Sequence, residues 1–174
     1  MSADDNAAVL ALLATSFDEM FAQPVRPPGP QVPGEVLLAV SIGVSGPGLR
    51  GALVIAARPG FFVSTYPLPP AEALPAPDDV DDWARECANQ LLGRVKNRLS
   101  ARGVQMSVST PTALRGFDLH ISGRDRNGVV RYSAKSQGVD VTVLFELERL
   151  DGQSLLAPNA AESAISPEGE SLIF

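Results

Sequence analysis

The chain has 174 residues, of which 45% are hydrophobic, enough for one globular domain whose core needs no covalent staple. A formal net charge of −6 argues against a nucleic-acid binder, which carries a basic face, and a single cysteine, Cys87, rules out a disulfide within the chain. The opening Met-Ser-Ala-Asp-Asp-Asn lacks the basic n-region of a signal peptide. No apolar run approaches the roughly 20 residues that span a bilayer, so no membrane insertion and a cytoplasmic location are expected.

Val9, Leu10, Leu13, Phe17, Met20 and Phe21 recur at helical spacing and predict a helix over residues 7–22, with Asp4 to Asn6 as cap candidates. Pro24, Pro27, Pro28, Pro30 and Pro33 then forbid helix or central strand, so residues 23–34 read as an extended loop. Residues 35–44 and 49–57 read as two strands joined through Gly46-Pro47-Gly48 in a hairpin. Neither strand alternates cleanly, which suits strands covered on both faces or long central strands. One short helix is expected at Phe61-Phe62-Val63-Ser64, followed by a loop through Pro67, Pro69, Pro70, Pro75 and Pro77. A second long helix starts near Asp78 or Asp79, acids suited to a cap and first turn, and ends near Arg102-Gly103.

Four further strands are expected over residues 104–109, 117–122, 129–134 and 139–147. His120, the only histidine, falls on the second of these, so no site built on several histidines is available. Asn127-Gly128 is the strongest hairpin signal in the sequence, and Gln137-Gly138 marks the next turn. Val139, Val141, Val143, Phe145 and Leu147 alternate with polar residues, broken only by Leu144, as in a half-buried strand. Residues 150–174 lose periodicity and read as a tail, apolar again only at the closing Ser-Leu-Ile-Phe. The expected organisation is a domain over residues 1–149 and a tail over 150–174. The element order predicts an α+β fold: a sheet of about six mainly antiparallel strands with helices packed on one face.

The second long helix carries the functional signal. At about 100° per residue, Val80, Ala84, Cys87, Ala88, Leu91, Val95 and Leu99 form one apolar stripe. Cys87 on that stripe reads as a small buried hydrophobe, and Trp83 sits at its edge. Glu86, Asn89 and Gly93 cluster on the opposite side. A carboxylate and a carboxamide at i and i+3 can reach together into a partner. A mid-helix glycine is less stable than alanine by about 1 kcal/mol, and nothing on a solvated face asks for one; a smooth spot there fits the close approach of another backbone. Arg85, Arg94, Lys96 and Arg98 flank this face, either solvating the helix or steering an acidic partner. The sequence holds no Gly-rich phosphate loop, Ser-centred elbow or Cys/His zinc spacing.

The ordered set Asp82, Glu86, Asn89, Gly93 and Pro111, preceded by an amphipathic helix and two apolar strands, resembles the CheC/CheX/FliY family of response-regulator phosphatases over roughly residues 7–148. The resemblance implies a pseudo-duplicated CheC/CheX-like fold and hydrolysis of the aspartyl phosphate of a CheY-like receiver domain. It gives Asn89 the task of orienting the attacking water, Glu86 that of pairing with the receiver's lysine, and Asp82, Arg85, Gly93 and Lys96 that of contacting the partner. No cofactor of the chain's own is implied, since the Mg²⁺ belongs to the receiver. Only one motif is present, because the first helix lacks a Glu-x-x-Asn, which makes the chain more like CheX than CheC. The alternative is a non-catalytic receiver-binding or scaffold module that uses the same face. The oligomeric state stays open; CheX-like proteins pair into homodimers through strand exchange or edge contacts, and the strand over residues 139–147 is a candidate for that contact.

Overall fold

The computed structural model describes residues 2–22, 36–67, 74–117, 119–121, 128–136, 139–151 and 155. Among these residues, three helices pack on one face of a six-stranded antiparallel sheet, as the element order predicts. The proline-rich residues 23–34, Asn127, the turn at Gln137-Gly138 and most of the expected tail lie outside the described residues.

The first helix, α1 (Ala3–Phe21), starts earlier than its apolar periodicity indicates. Ser2 and Asp5 form a capping box: Ser2 Oγ accepts from the Asp5 N–H and Asp5 Oδ2 accepts from the Ser2 N–H, each at 3.0 Å. This satisfies two otherwise orphaned donors and fixes the helix start at Ala3. Strands β1 (Val36–Gly46) and β2 (Leu49–Ala57) form the expected hairpin, closed at Gly46↔Leu49 with Gly48 at φ +61°. The left-handed region at that turn position favours glycine. Helix α2 (Pro59–Thr65) is the short helix expected there.

Helix α3 (Pro77–Ser100) carries the motif. Its cap position is Ala76 rather than Asp78 or Asp79, with Pro77 in the first turn. Asp79 serves from inside the helix, accepting the Ala76 N–H at 3.2 Å. The stripe is buried as read: Val80, Ala84, Cys87, Ala88, Leu91, Val95 and Leu99 all belong to one hydrophobic core cluster. Burial pushes the Cys87 thiol up from its ordinary pKa, so it is held as the neutral thiol.

The strands after α3 depart from expectation. Only Ser107–Val108 of the first form a strand, β3. The next, β4, is Thr112–Phe117, which places it ahead of the expected residues 117–122 and leaves the exposed His120 outside any strand. Both β3 and β4 pair with β1, through Val44↔Val108 and Ser41↔Thr112. Two residues of β1, Ile42 and Gly43, therefore face three of the edge, Ser109, Thr110 and Pro111, which is a β-bulge. Pro111 fits there because a bulge on an edge needs no ladder donor. Ser109 holds the bulge: its N–H donates to Gly43 O at 2.9 Å and its Oγ accepts from the Gly43 N–H at 2.8 Å.

Strand β5 (Val129–Ser136) pairs with β6 (Val139–Arg149) from Ser136↔Val139 onward, as the alternation of β6 requires. The hairpin expected at Asn127-Gly128 falls largely outside the described residues, among which β4 and β5 lie at opposite edges of the sheet. Gly128 adopts φ +134°, and its carbonyl accepts from the Leu147 N–H. Strand β6 lies between β2 and β5, with both sides paired, so it has no edge to offer a second copy.

The order β1-β2-β6-β5 reads the same from either side of the β2–β6 ladder. Each half contributes one long helix and one long hairpin, and the helices cross over: α3 packs on β1, α1 on β5. This is the pseudo-duplicated arrangement. At its centre Gly51 lies where a Cβ would come within 2.0 Å of Glu146 O on β6. That atom is backbone and cannot swing aside. Gly51→Ala should therefore lower stability by about 1–3 kcal/mol, measurable as a fall in denaturation midpoint with unchanged slope.

Candidate functional site

The phase of α3 is fixed from below by its core stripe and from the sides by three ties. On one flank Arg98 makes a bidentate ion pair with Glu19 of α1 at 2.6 and 2.7 Å and a further hydrogen bond to Ser16. Arg94 adds a weaker contact with Glu19 at 3.5 Å. The Arg98 hydrogen bond holds the Glu19 carboxyl below its usual pKa. On the other flank Arg115 of β4 pairs with Asp81 and reaches the Pro77 carbonyl. Toward α2, the Trp83 indole donates to Thr65 Oγ1 at 3.0 Å, and Tyr66 packs edge-on against the same indole. Thr65 Oγ1 lies within reach of the Phe61 and Phe62 carbonyls, so the helix is anchored to the core through α2.

Among the described residues, these ties leave one arc of α3 uncovered. At about 100° per residue, Arg85, Lys96, Asn89, Asp82, Gly93 and Glu86 follow one another round an arc of about 100°. All six residues singled out from the sequence are thus brought together on one face. Asp82, Glu86 and Asn89 are exposed, and Arg85, Gly93 and Lys96 are half-buried. Asp82 and Arg85 form an ion pair. Lys96 makes no ion pair among the described residues. Gly93 has nothing within 4 Å of the position a Cβ would take. Pro111, the last member of the sequence pattern, sits in the edge bulge between β3 and β4.

One contact escaped the sequence reading. Gln90 Nε2 donates to Glu86 Oε1 at 2.8 Å. The i,i+4 spacing was the available signal, since such pairs face each other on a helix. Among the described residues no group of three or more His, Cys, Asp or Glu side chains is placed to hold a metal ion, and no helix is long and apolar enough to cross a membrane. A cleft of about 280 Å³ lined by Leu49, Gly103, Gln105 and Arg149 contains none of the arc residues.

The openness of Gly93 separates its two effects. Gly93→Ala should stabilise the isolated protein by up to about 1 kcal/mol, because helix propensity improves and no atom is displaced. Gly93→Leu should leave the fold intact and block docking on the arc. A thermal melt and a binding titration check the two halves, and unchanged affinity of the Leu variant would remove the arc as an interface.

The profile of the family described as chemotaxis phosphatase CheX matches residues 38–135, more than half of the chain. The chain belongs to the CheX family. Solved structures agree on the fold. CheX of Vibrio vulnificus is 21% identical with a TM-score of 0.58, over 80% of this chain and 93% of its own. A putative chemotaxis protein of Desulfovibrio vulgaris Hildenborough is 17% identical with a TM-score of 0.61, over 83% of this chain and 97% of its own. The third, from Borrelia burgdorferi, is a CheX–CheY–BeF3–Mg+2 complex, 15% identical with a TM-score of 0.55, over 80% of this chain and 95% of its own. At such identities the likeness speaks for the fold alone. No curated protein matches the chain. The six-stranded sheet and three helices of this CheX-family chain are thus shared across the group, while the arc on α3 is argued from this chain's own residues.

Proposed function

We propose that this CheX-family chain hydrolyses the aspartyl phosphate of a CheY-like receiver domain. The observation that carries the reading is the uncovered arc of α3, where Glu86 and Asn89 stand one turn apart in solvent beside the open Gly93. An acyl phosphate is already activated, so its hydrolysis mainly needs a water held in line with phosphorus. A carboxamide suits that task, since it accepts and donates at once and carries no charge. Asn89 orients the water. As the water oxygen bonds to phosphorus, the bond to the aspartyl oxygen breaks, releasing inorganic phosphate and a free carboxylate.

Glu86 offers acceptors only, which suits a charge-assisted bond to the receiver's active-site lysine. Asp82, Arg85, Gly93 and Lys96 supply the surrounding contact surface. The Mg²⁺ is the receiver's, a hard cation held by that partner's oxygens. The site of action is the cytoplasm. Pairing of two copies would use the β3–β4 edge, where Leu114 and Phe117 are exposed.

A phosphate-release assay with a panel of phosphorylated receivers tests the reading. The expected result is accelerated release from a cognate member. Binding without acceleration would replace the hydrolase by the docking module, and neither binding nor acceleration would remove both.

A further inference from the structure

Of the proposed catalytic pair, Glu86 alone has a side-chain hydrogen bond among the described residues, the 2.8 Å bond from Gln90 Nε2 to its Oε1. We propose that Gln90 is a positioning residue that orders the two oxygens of the Glu86 carboxylate as a cradle for an ammonium group, an inference that rests on the function proposed above. Only the NH₂ end of a carboxamide can bond a carboxylate, which settles the amide's orientation. The bond takes up part of the capacity of Oε1 and leaves Glu86 both carboxylate oxygens as acceptors, Oε1 and Oε2, in a fixed orientation. An incoming ammonium brings three donors and can engage both oxygens.

The surroundings keep this cradle negative. The three guanidinium groups nearest in sequence are engaged elsewhere: Arg85 with Asp82, and Arg94 and Arg98 with Glu19. Glu86 is left with a neutral donor that orders its carboxylate without cancelling its charge. A cation at position 90 would hold Glu86 equally well and would compete with the receiver's lysine. In water an exposed pair of this kind is weak, but it strengthens when a docking partner excludes solvent. Gln90 thus acts on binding through Glu86 and leaves the water-orienting step to Asn89.

The test is a double-mutant cycle on the full chain. Affinity for a CheY-type receiver activated with beryllofluoride and Mg²⁺ is measured for wild type, Gln90→Met, Glu86→Ala and the double variant, with phosphate release at saturating receiver as a second readout. Gln90→Met should weaken binding by about threefold to tenfold, with no further loss in the Glu86→Ala background. The saturated rate and the melting temperature should stay at the wild-type values. In the isolated protein, Glu86→Ala should move the ¹⁵N resonance of the Gln90 side-chain amide. Equal losses from Gln90→Met in both backgrounds, or an amide resonance indifferent to Glu86→Ala, would overturn the cradle while leaving the phosphatase reading in place. Failure of wild type to bind any receiver would remove that reading and the cradle together.

Discussion

Asn89→Ala should reduce phosphate release from a cognate receiver to near the receiver's own rate while leaving the fold unchanged. Asn89 is exposed on α3 and has no described partner whose loss would destabilise the protein. Exposed helix substitutions of this kind usually move stability by less than about 0.5 kcal/mol. The loss of rate should be large because alanine cannot hold a water in line, and positioning of a reactant contributes several kcal/mol to a barrier of this type. Affinity for a phosphoryl-mimicking receiver should stay close to wild type. Glu86→Ala should instead weaken receiver binding along with turnover. Wild-type turnover by the Asn89 variant would refute its catalytic assignment.

Leu91→Ala should do the opposite to the fold. Leu91 is 0% exposed and lies among the α3 residues packed against β1 and β2. Truncation leaves a cavity that the surrounding Val95, Cys87 and sheet side chains fill only in part, so a loss of about 2–5 kcal/mol is expected in denaturant unfolding. Activity should fall with it, because Asn89 is borne by the same helix turns and an in-line water tolerates little displacement. The contrast separates the two roles: stability and activity lost together at Leu91, activity alone at Asn89. A Leu91 variant of wild-type stability would mean that the helix packs in some other phase.

The phase of α3 was legible because a 3.6-residue period with eight buried positions leaves little freedom in which face turns outward. The β1–β2 hairpin and β6 were legible from turn glycines and alternation. The edge was not. Residues 112–117 carry Leu114 and Phe117 on opposite faces of the strand, both exposed, so no period-2 burial marks them; pairing with β1 decides the strand. The pairing of β5 with β6 was legible from the turn expected at residues 137–138 and the alternation of β6. The start of α1 was missed because its capping box uses Asp5, where Glu or Gln is the usual third residue. In the site, the arc followed from helix phase alone, whereas the ties through Glu19, Arg115 and Thr65 depend on elements distant in sequence.

The central ladder joins Leu49 to Arg149 and Ala57 to Val141. During vectorial synthesis, then, the first hairpin leaves the ribosome long before the strand that flanks it. Until Arg149 has emerged, Leu53 and Ile55 lack their neighbours Phe145 and Val143, and α3 has only half a sheet to lie on. Contacts this remote close slowly, because the intervening loop must be ordered before they form. The nascent chain therefore carries its motif helix above the first hairpin, while the far side of β2 still lacks its partner strand. Closure of the sheet arrives late in one step, with the strand that joins the two halves.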